Sequence, residues 1–153
     1  MPSERAVRTV AALLALAGIG VATYIAVAEA GGGAPQCFAG GHGCQVVTDS
    51  SYSQLAGINV AVLGIAGYVL LLLCALAGGD LARVAGISIA IVGFGYSAYL
   101  TYVELFVIDA ICQWCVASAV LMTLLLVANL ARAFGYLGTG LMRADRGPTA
   151  DHV

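Results

Sequence analysis

The chain has 153 residues, of which 61% are hydrophobic and 9% are charged, and its formal net charge is −2 at pH 7. Soluble domains carry about 25% charged residues, so this composition excludes an ordinary soluble globular domain and indicates a membrane protein. The six basic residues are all arginines and form no run, which argues against nucleic-acid binding, and the length allows one domain.

Four apolar stretches follow one another, and each is long enough to cross a bilayer as a helix, which takes roughly 20 residues. They cover residues 7–28, 59–77, 84–107 and 112–131. A lone strand in lipid leaves its backbone groups without hydrogen-bond partners, so helix is the expected form. The sequence therefore predicts an all-α membrane protein, a bundle of four transmembrane helices.

The first apolar stretch also has features of a signal peptide, because two arginines precede it and Ala28-Glu29-Ala30 resembles a signal-peptidase site. The apolar region of a signal peptide has roughly 7 to 15 residues, whereas this stretch has 22. We therefore expect it to remain as a membrane helix. Its removal would not change which side the later loops face.

The arginines predict the orientation, because the cytoplasmic flanks of membrane helices attract Lys and Arg. They lie before the first stretch, between the second and third, and at or after the end of the fourth: Arg5, Arg8, Arg83, Arg132, Arg143 and Arg146. The loops at 31–58 and 108–111 contain none. Both termini are therefore expected to be cytoplasmic.

The predicted layout has three parts. It consists of a cytoplasmic N-terminus over residues 1–6, a four-helix membrane domain over 7–133 with its outer loop at 31–58, and a cytoplasmic C-terminal tail over 134–153. Four of the five cysteines then face the extracytoplasmic side, where disulfides form and persist. The fifth, Cys74, is interpreted as a small buried apolar residue.

Cys112-Gln-Trp-Cys115 is a C-x-x-C pair at a predicted helix start, with both sulfurs on one face. The positive end of the helix favours a thiolate at Cys112, while Cys115 lies one turn deeper. This asymmetry suits a relay in which the accessible sulfur exchanges with a thiol and the deeper one meets an apolar oxidant. A static disulfide and half of a zinc site are the alternatives.

Cys37 and Cys44 are separated by six residues, three of them glycine, which favours a mobile segment over a stiff link. A loop-closing structural disulfide is one alternative. A four-cysteine zinc site is another, although zinc ligand pairs usually have about two to four residues between them. His42 is a candidate base for a neighbouring thiol, and an inert loop histidine is the simpler interpretation.

Aromatic residues near the outer boundary have two interpretations, an interfacial belt or the wall of a pocket for a flat ring. Tyr96, Tyr99 and Tyr102 are spaced to share one face of the third helix, and Trp114 lies within the C-x-x-C pair.

Glu104 is either a solvated carboxylate or a proton relay beside a quinone. The polar run at 48–53 is typical of a short capped segment at the membrane surface.

Together these residues resemble the vitamin K epoxide reductase family in its bacterial form. The matching pattern has four cysteines in this order, with a serine six residues after the second and further motifs on the second and third helices: Ser50-Ser51-Tyr52, Gly57-Ile58, Gly64, Tyr68 and Tyr99-Leu100-x-Tyr102-x-Glu104. The resemblance covers about residues 10–130. Each part is weak alone, and the serine between two cysteine pairs makes the combination specific.

The resemblance implies a helix bundle around a quinone, menaquinone or ubiquinone, as substrate and no metal, with the outer loop and its surface helix as a lid. It implies that Cys115 reacts with the quinone, with Cys112 as its partner. Cys37 and Cys44 match the shuttle cysteines, with Cys44 exchanging with Cys112, and Ser50 matches a serine in the lid. The expected location is the bacterial cytoplasmic (inner) membrane.

The reaction implied by the resemblance generates disulfides. A reduced extracytoplasmic thioredoxin-fold protein of the DsbA type gives electrons to the loop pair, the C-x-x-C pair receives them, and a membrane quinone accepts them. Such a partner has a potential near roughly −120 mV, so its acceptor must be more oxidising. Vitamin K epoxide as acceptor would use the same residues. A non-catalytic scaffold or transporter with structural disulfides is the rival, weakened because no charge at the membrane centre marks a transport path.

The chain departs from the family pattern at three places. Ala119 lies one turn after Cys115, where vertebrate members have a tyrosine, so a polar contact to the quinone ring is missing or supplied elsewhere. Asn59 is one position away from the asparagine of the second helix. About 20 residues follow the fourth stretch, so the thioredoxin-like domain that is fused in many bacterial members is expected as a separate protein.

Overall fold

The computed structural model describes residues 4–37 and 42–145, and it describes the side chains only up to residue 135. The elements in chain order are α1 (Glu4–Ala30), α2 (Gly43–Thr48), a 3-10 turn (Ser51–Ser53), β1 (Gln54–Leu55), β2 (Ile58–Asn59), α3 (Val60–Ala77), α4 (Gly79–Val103), a π-helical segment (Glu104–Ile108) and α5 (Gln113–Asp145).

The predicted bundle of four membrane helices is confirmed. Four helices are long and apolar enough to cross a membrane: α1, α3, α4 with its π-helical extension, and α5 up to Gly135. Helix α1 packs against α3 and α5, and α4 packs against the same two helices. Large apolar side chains such as Leu13, Leu76 and Val92 remain exposed on the outside, as is expected of surfaces that contact lipid. The chain is a multi-pass membrane protein.

Two helix boundaries differ from their predicted positions. Helix α5 continues to Asp145, well beyond its expected end near residue 131. Residues 134–145 of the predicted C-terminal tail are therefore helical. Helix α4 begins at Gly79, directly after Gly78, whose φ of 69° is in the left-handed region that favours glycine. Arg8 donates to the carbonyl oxygens of Ala75 and Leu76, at 2.9 and 2.5 Å. These hydrogen bonds satisfy two carbonyl oxygens at the end of α3, so α4 can follow α3 without a longer loop between them.

The core contains small residues that allow the helices to approach closely. It consists of alanines from all four spanning helices and four larger side chains from α3 and α5: Ala11, Ala15, Ala22, Tyr68, Leu71, Ala75, Ala90, Met122, Leu125 and Ala128. A Cβ on Gly18 would overlap the ring of Tyr68. The Tyr68 hydroxyl donates to the Ser118 carbonyl oxygen at 2.9 Å and lies 2.8 Å from the Ser118 hydroxyl. Tyr68 thus joins α1, α3 and α5.

The segment between α1 and α3 contains the predicted surface helix, shifted towards the N-terminus, as α2 followed by the 3-10 turn. An unexpected hairpin follows, in which β1 and β2 pair antiparallel across Ala56 and Gly57. Both residues have positive φ, 53° and 82°, as a two-residue hairpin turn requires. The sequence Ala-Gly lacks the usual Asn-Gly or Asp-Gly signal, which explains why the hairpin was not predicted.

The arginines and the four outer cysteines lie at opposite ends of the bundle. Arg83 pairs with Asp80 at 2.6 Å and with Glu4, at the start of α1, at 3.0 Å. We call this end, with Arg5, Arg8, Arg83 and Arg132, the arginine end, and the opposite end, with Cys37, Cys44, Cys112 and Cys115, the cysteine end. The side chain of Arg143 and the whole of Arg146 lie outside the described residues, as does the chain after residue 145.

Candidate functional site

Glu104 organises the turn that leads into the C-x-x-C pair. The π-helical segment ends at Asp109, which has a left-handed φ of 54°, and the Glu104 carbonyl oxygen accepts from Ala110 N at 3.1 Å. The Glu104 carboxylate accepts from the backbone N–H of Cys112 at 3.1 Å. Glu104 is only 4% exposed, so it is a buried structural acceptor and not the solvated interfacial carboxylate that was one of its two interpretations.

Cys112 and Cys115 form a compact group with Glu104. Both are free thiols, and Cys112 is fully buried. The Cys115 thiol is in hydrogen-bonding contact with the Cys112 thiol and with the Glu104 carboxylate. Cys112 immediately precedes the spanning part of α5, and its carbonyl oxygen accepts from Val116 N at 3.0 Å, as in an N-cap residue.

The position of Cys112 favours its thiolate. The hydrogen bond from the Cys115 thiol lowers the pKa of the Cys112 thiol, and the backbone N–H groups of Cys115 and Trp114 lower it further. Burial and the Glu104 carboxylate raise the pKa, but to a smaller extent in sum. The effect has the direction expected for a cysteine at a helix start.

The outer pair, Cys37 and Cys44, is joined by a disulfide bond, and Cys44 is 2% exposed at the second residue of α2. Gly43 packs directly on the backbone of Ile111, because a Cβ at this position would lie 2.5 Å from the Ile111 carbonyl oxygen. Gly43 precedes Cys44 and Ile111 precedes Cys112. Only glycine permits this approach, which brings the two cysteine pairs together.

A second contact connects the loop to the C-x-x-C pair. Trp114 Nε1 donates to the Gln36 carbonyl oxygen at 2.9 Å, and Gln36 N donates to the Tyr24 hydroxyl at 3.2 Å. The rings of Tyr24 and Trp114 are packed with their centroids 4.7 Å apart. These contacts give Trp114 a structural role, whereas its interpretation as the wall of a ligand pocket stays a prediction. Trp114 holds the residue before Cys37 against the C-x-x-C pair.

A cavity of about 550 Å³ lies within the bundle at the cysteine end. Its wall is almost entirely apolar, and it includes Cys115 but not Cys112. Three predicted residues, Ser50, Asn59 and Glu104, also line it. A volume of this size is typical of pockets for small organic ligands. Of the C-x-x-C pair, Cys115 therefore borders the apolar cavity, whereas Cys112 is adjacent to the outer loop.

Tyr99 and Tyr102, two of the predicted site residues, are not among the residues that line this cavity, and their role at the site stays a prediction. Tyr99 is 50% and Tyr102 is 57% exposed, and neither contributes to the wall. Tyr96 does line it. A helix turns about 100° per residue, so each three-residue step drifts by about 60° and Tyr102 lies about 120° from Tyr96. Tyr102 packs on Phe106 instead, with ring centroids 5.0 Å apart.

Several polar residues of the cavity wall were not predicted as site residues: Glu29, Thr48, Tyr68, Ser97, Thr101 and Ser118. Of these residues, Tyr68 could have been recognised in the sequence by its hydroxyl, because a buried tyrosine in an apolar helix needs a hydrogen-bond partner.

At the outer rim of the cavity, the Asn59 side-chain nitrogen donates to the Glu29 carboxylate, and the Asn59 side-chain oxygen accepts from Ala61 N at 2.7 Å. Ser50 donates to the Val47 carbonyl oxygen at 2.6 Å and stabilises the end of α2.

The family model described as the vitamin K epoxide reductase family matches residues 9–130, which covers the four spanning helices and both cysteine pairs. A comparison with individual curated proteins gives no match. Within the described part of the chain, no group of three or more His, Cys, Asp or Glu side chains is arranged to hold a metal ion. The family match extends over most of the chain and agrees with the bundle, and it supports an oxidoreductase of the membrane. The chain belongs to the vitamin K epoxide reductase family.

Proposed function

We propose that the chain is a thiol:quinone oxidoreductase that generates disulfides in a thioredoxin-fold partner. Electrons pass from the partner through Cys37 and Cys44 to Cys112 and Cys115, and then to a membrane quinone. The observation that carries this proposal is the position of the C-x-x-C pair. Backbone contact through Gly43 holds the loop pair beside Cys112, and Cys115 forms part of an apolar cavity wall.

The loop half of the reaction is thiol–disulfide exchange. A thiolate of the reduced partner attacks the Cys37–Cys44 disulfide, and the partner's second thiol completes its own disulfide, which leaves both loop cysteines as thiols. Cys44 then attacks Cys112 in the Cys112–Cys115 disulfide, and Cys37 resolves the mixed disulfide. Each exchange moves two electrons and two protons. The lowered pKa of Cys112 makes its sulfur the better leaving group when Cys37 resolves the Cys44–Cys112 mixed disulfide.

The cavity half of the reaction begins with Cys112 and Cys115 as thiols. A bound quinone takes up two electrons and two protons and becomes the quinol. Cys115 supplies the sulfur that faces the cavity, and Cys112 supplies the second sulfur of the new disulfide. Glu104 contacts the Cys115 thiol and lines the same cavity, so its carboxylate is placed to accept a thiol proton and to pass it on. The buried, apolar surroundings exclude water from this transfer.

Two groups are available to contact the ring oxygens of a quinone, which matters because Ala119 has no polar group. The Asn59 amide is oriented by Glu29 and by Ala61 N, so one N–H of its side chain remains for a ligand at the rim of the cavity. Tyr68 and Ser118 form a hydroxyl pair on the wall contributed by α3 and α5. We propose that these groups take the place of the missing tyrosine.

The same proposal assigns sides to the two ends of the bundle. The cysteine end faces the extracytoplasmic side of a bacterial cytoplasmic membrane, and the arginine end faces the cytoplasm with both termini. Residues 31–58 then form the outer loop, with α2 and the 3-10 turn as a lid over the cavity. Ser50, Thr48 and Ser53 contribute to the cavity wall from this lid.

The direct test is quinol formation by the purified chain in lipid nanodiscs loaded with menaquinone or ubiquinone. With a reduced thioredoxin-fold protein as electron donor, we expect one quinol for each partner disulfide formed. The same partner, oxidised beforehand, is the control and should give none. Absence of quinol with both quinones, despite oxidation of the partner, would contradict the proposal.

Glu104→Gln is expected to slow quinol formation by about 10²-fold, the usual contribution of a positioned acid or base. The glutamine side-chain oxygen can still accept from Cys112 N, so the turn should persist, but the amide cannot carry a proton. Turnover would be measured with reduced partner and saturating quinone.

Asp109→Asn is the matched control for Glu104→Gln, because it neutralises the next carboxylate along the chain and asparagine tolerates the left-handed φ of 54° there. It should retain turnover within a factor of a few. Equal rates for Glu104→Gln and the unchanged protein would exclude the proton-transfer role of Glu104.

A further inference from the structure

Three helices each contribute an arginine to the arginine end: Arg8 from α1, Arg83 from α4 and Arg132 from α5. Two of these side chains have partners. Arg8 donates to backbone carbonyl oxygens at the end of α3, and Arg83 pairs with Glu4 and Asp80. These contacts explain the positions of the Arg8 and Arg83 side chains, but none of them involves the guanidinium of Arg132.

Arg132 is 4% exposed, and none of its three side-chain nitrogens has a hydrogen-bond partner among the residues that the structure describes. Its electrostatic neighbours include two further cations, Arg8 and Arg83, and one carboxylate, Glu4. Glu4 is already bonded to Arg83. An unpaired buried charge is among the costliest arrangements in a protein, and buried polar groups are otherwise almost always satisfied.

The location of Arg132 decides what can satisfy it. Arginines near the end of a membrane helix usually extend to the headgroup region, so their charge stays in water, but the side chain of Arg132 is enclosed. It directly follows the fourth apolar stretch, which covers residues 112–131, and it lies at the arginine end with Arg8 and Arg83, which places it at the depth of lipid headgroups. A guanidinium presents several N–H groups in a planar fork that matches the oxygens of a phosphate.

We propose that the arginine end binds a phosphate-type anion between α1, α4 and α5, with Arg132 as the principal ligand and Arg8 and Arg83 adding to the local positive charge. Such an anion satisfies the buried guanidinium and offsets the repulsion among the three arginines. Basic pockets between membrane helices on the cytoplasmic side are known sites for anionic lipid headgroups. The inference is independent of the redox reaction proposed for the cysteine end.

The test is thermal unfolding of the full chain, purified and delipidated in a neutral detergent, with three probes: phosphatidylglycerol, phosphatidylcholine and inorganic phosphate. We expect phosphatidylglycerol to raise the melting temperature by about 5 °C or more, the shift expected when a ligand is well above its dissociation constant. Phosphatidylcholine should have little effect. An equal rise with inorganic phosphate assigns the site to free phosphate, and a rise with phosphatidylglycerol alone assigns it to a lipid headgroup.

Two variants separate a specific site from general charge attraction. Arg132→Met removes the unpaired charge and fills its space, so it should melt no lower than the ligand-free protein and should show no shift with any probe. Arg5→Gln removes an exposed arginine from the same end and should shift as the unchanged protein does. Equal shifts in all three proteins, equal shifts with both lipids, or no shift with any probe would overturn the proposal.

A second measurement covers the case in which Arg132→Met does not fold. Native mass spectrometry of the unchanged protein, loaded with equal amounts of the two lipids, should show one phosphatidylglycerol retained after the detergent is removed. Arg132→Lys keeps the charge but lacks the planar fork, and it should lose most of this retention. Retention of both lipids in equal amounts would contradict the site.

Discussion

Cys115→Ser is expected to reduce quinol formation by roughly 10³-fold or more, as happens when a reacting group is removed. Cys115 is the only one of the four outer cysteines on the cavity wall among the described residues, so no other sulfur can take its place. In this variant the Cys112 thiolate can still attack Cys44 of the Cys37–Cys44 disulfide and release Cys37 as a thiol, and no sulfur at position 115 is present to resolve the product. We therefore expect a trapped disulfide between Cys44 and Cys112, detectable by peptide mapping under non-reducing conditions.

Cys74→Ser is the matched control for Cys115→Ser. Cys74 lies in the part of α3 near the arginine end, away from the cavity wall, and its replacement should leave turnover within a factor of two or so of the unchanged rate. Quinol formation by Cys115→Ser at a comparable rate would exclude the proposed relay. A loss of turnover in both variants would indicate a folding defect and would be checked by thermal unfolding.

Replacing both loop cysteines, Cys37→Ser with Cys44→Ser, is expected to lower turnover with a reduced thioredoxin-fold partner by roughly 10²-fold or more, because the partner then has to reach a fully buried Cys112. The double variant should keep most of its turnover with dithiothreitol, a small dithiol that can enter the site. Both rates would be measured as quinol formation in the same nanodiscs.

The comparison of the two donors separates a shuttle from a structural disulfide. Loss of turnover with both donors would mean that the loop disulfide serves to hold the site together. Full turnover with both would mean that the partner reduces the C-x-x-C pair directly. Only a loss confined to the protein donor agrees with electron transfer through the loop.

The depth of one site cysteine could be predicted from residue spacing, and the places where the geometry of the site differs from the sequence pattern have simple causes. Cys115 lies one helical turn from Cys112, so its deeper position followed from the C-x-x-C spacing, and the cavity wall includes it. Tyr99 and Tyr102 are not among the residues of this wall because a three-residue spacing drifts around a helix, and Tyr102 ends far from the face of Tyr96. Trp114 lies within the C-x-x-C pair in sequence, but its indole N–H donates to the Gln36 carbonyl oxygen, and Trp114 is not among the residues that line the cavity.

The amino-acid sequence by itself determined the membrane class, the four helices and the separation of arginines from cysteines. These properties depend on hydropathy, helix length and the order of residues, all of which are local. Only the tertiary structure decided that Gly43 packs on Ile111, that Glu104 holds Cys112 N, and that Tyr68 reaches Ser118. Each of these contacts joins residues on different elements, and a linear pattern carries no information on which side chains meet once the helices pack. Arg132 is an example, because its position suggested an orientation marker at a membrane boundary, and only packing shows that its charge is enclosed.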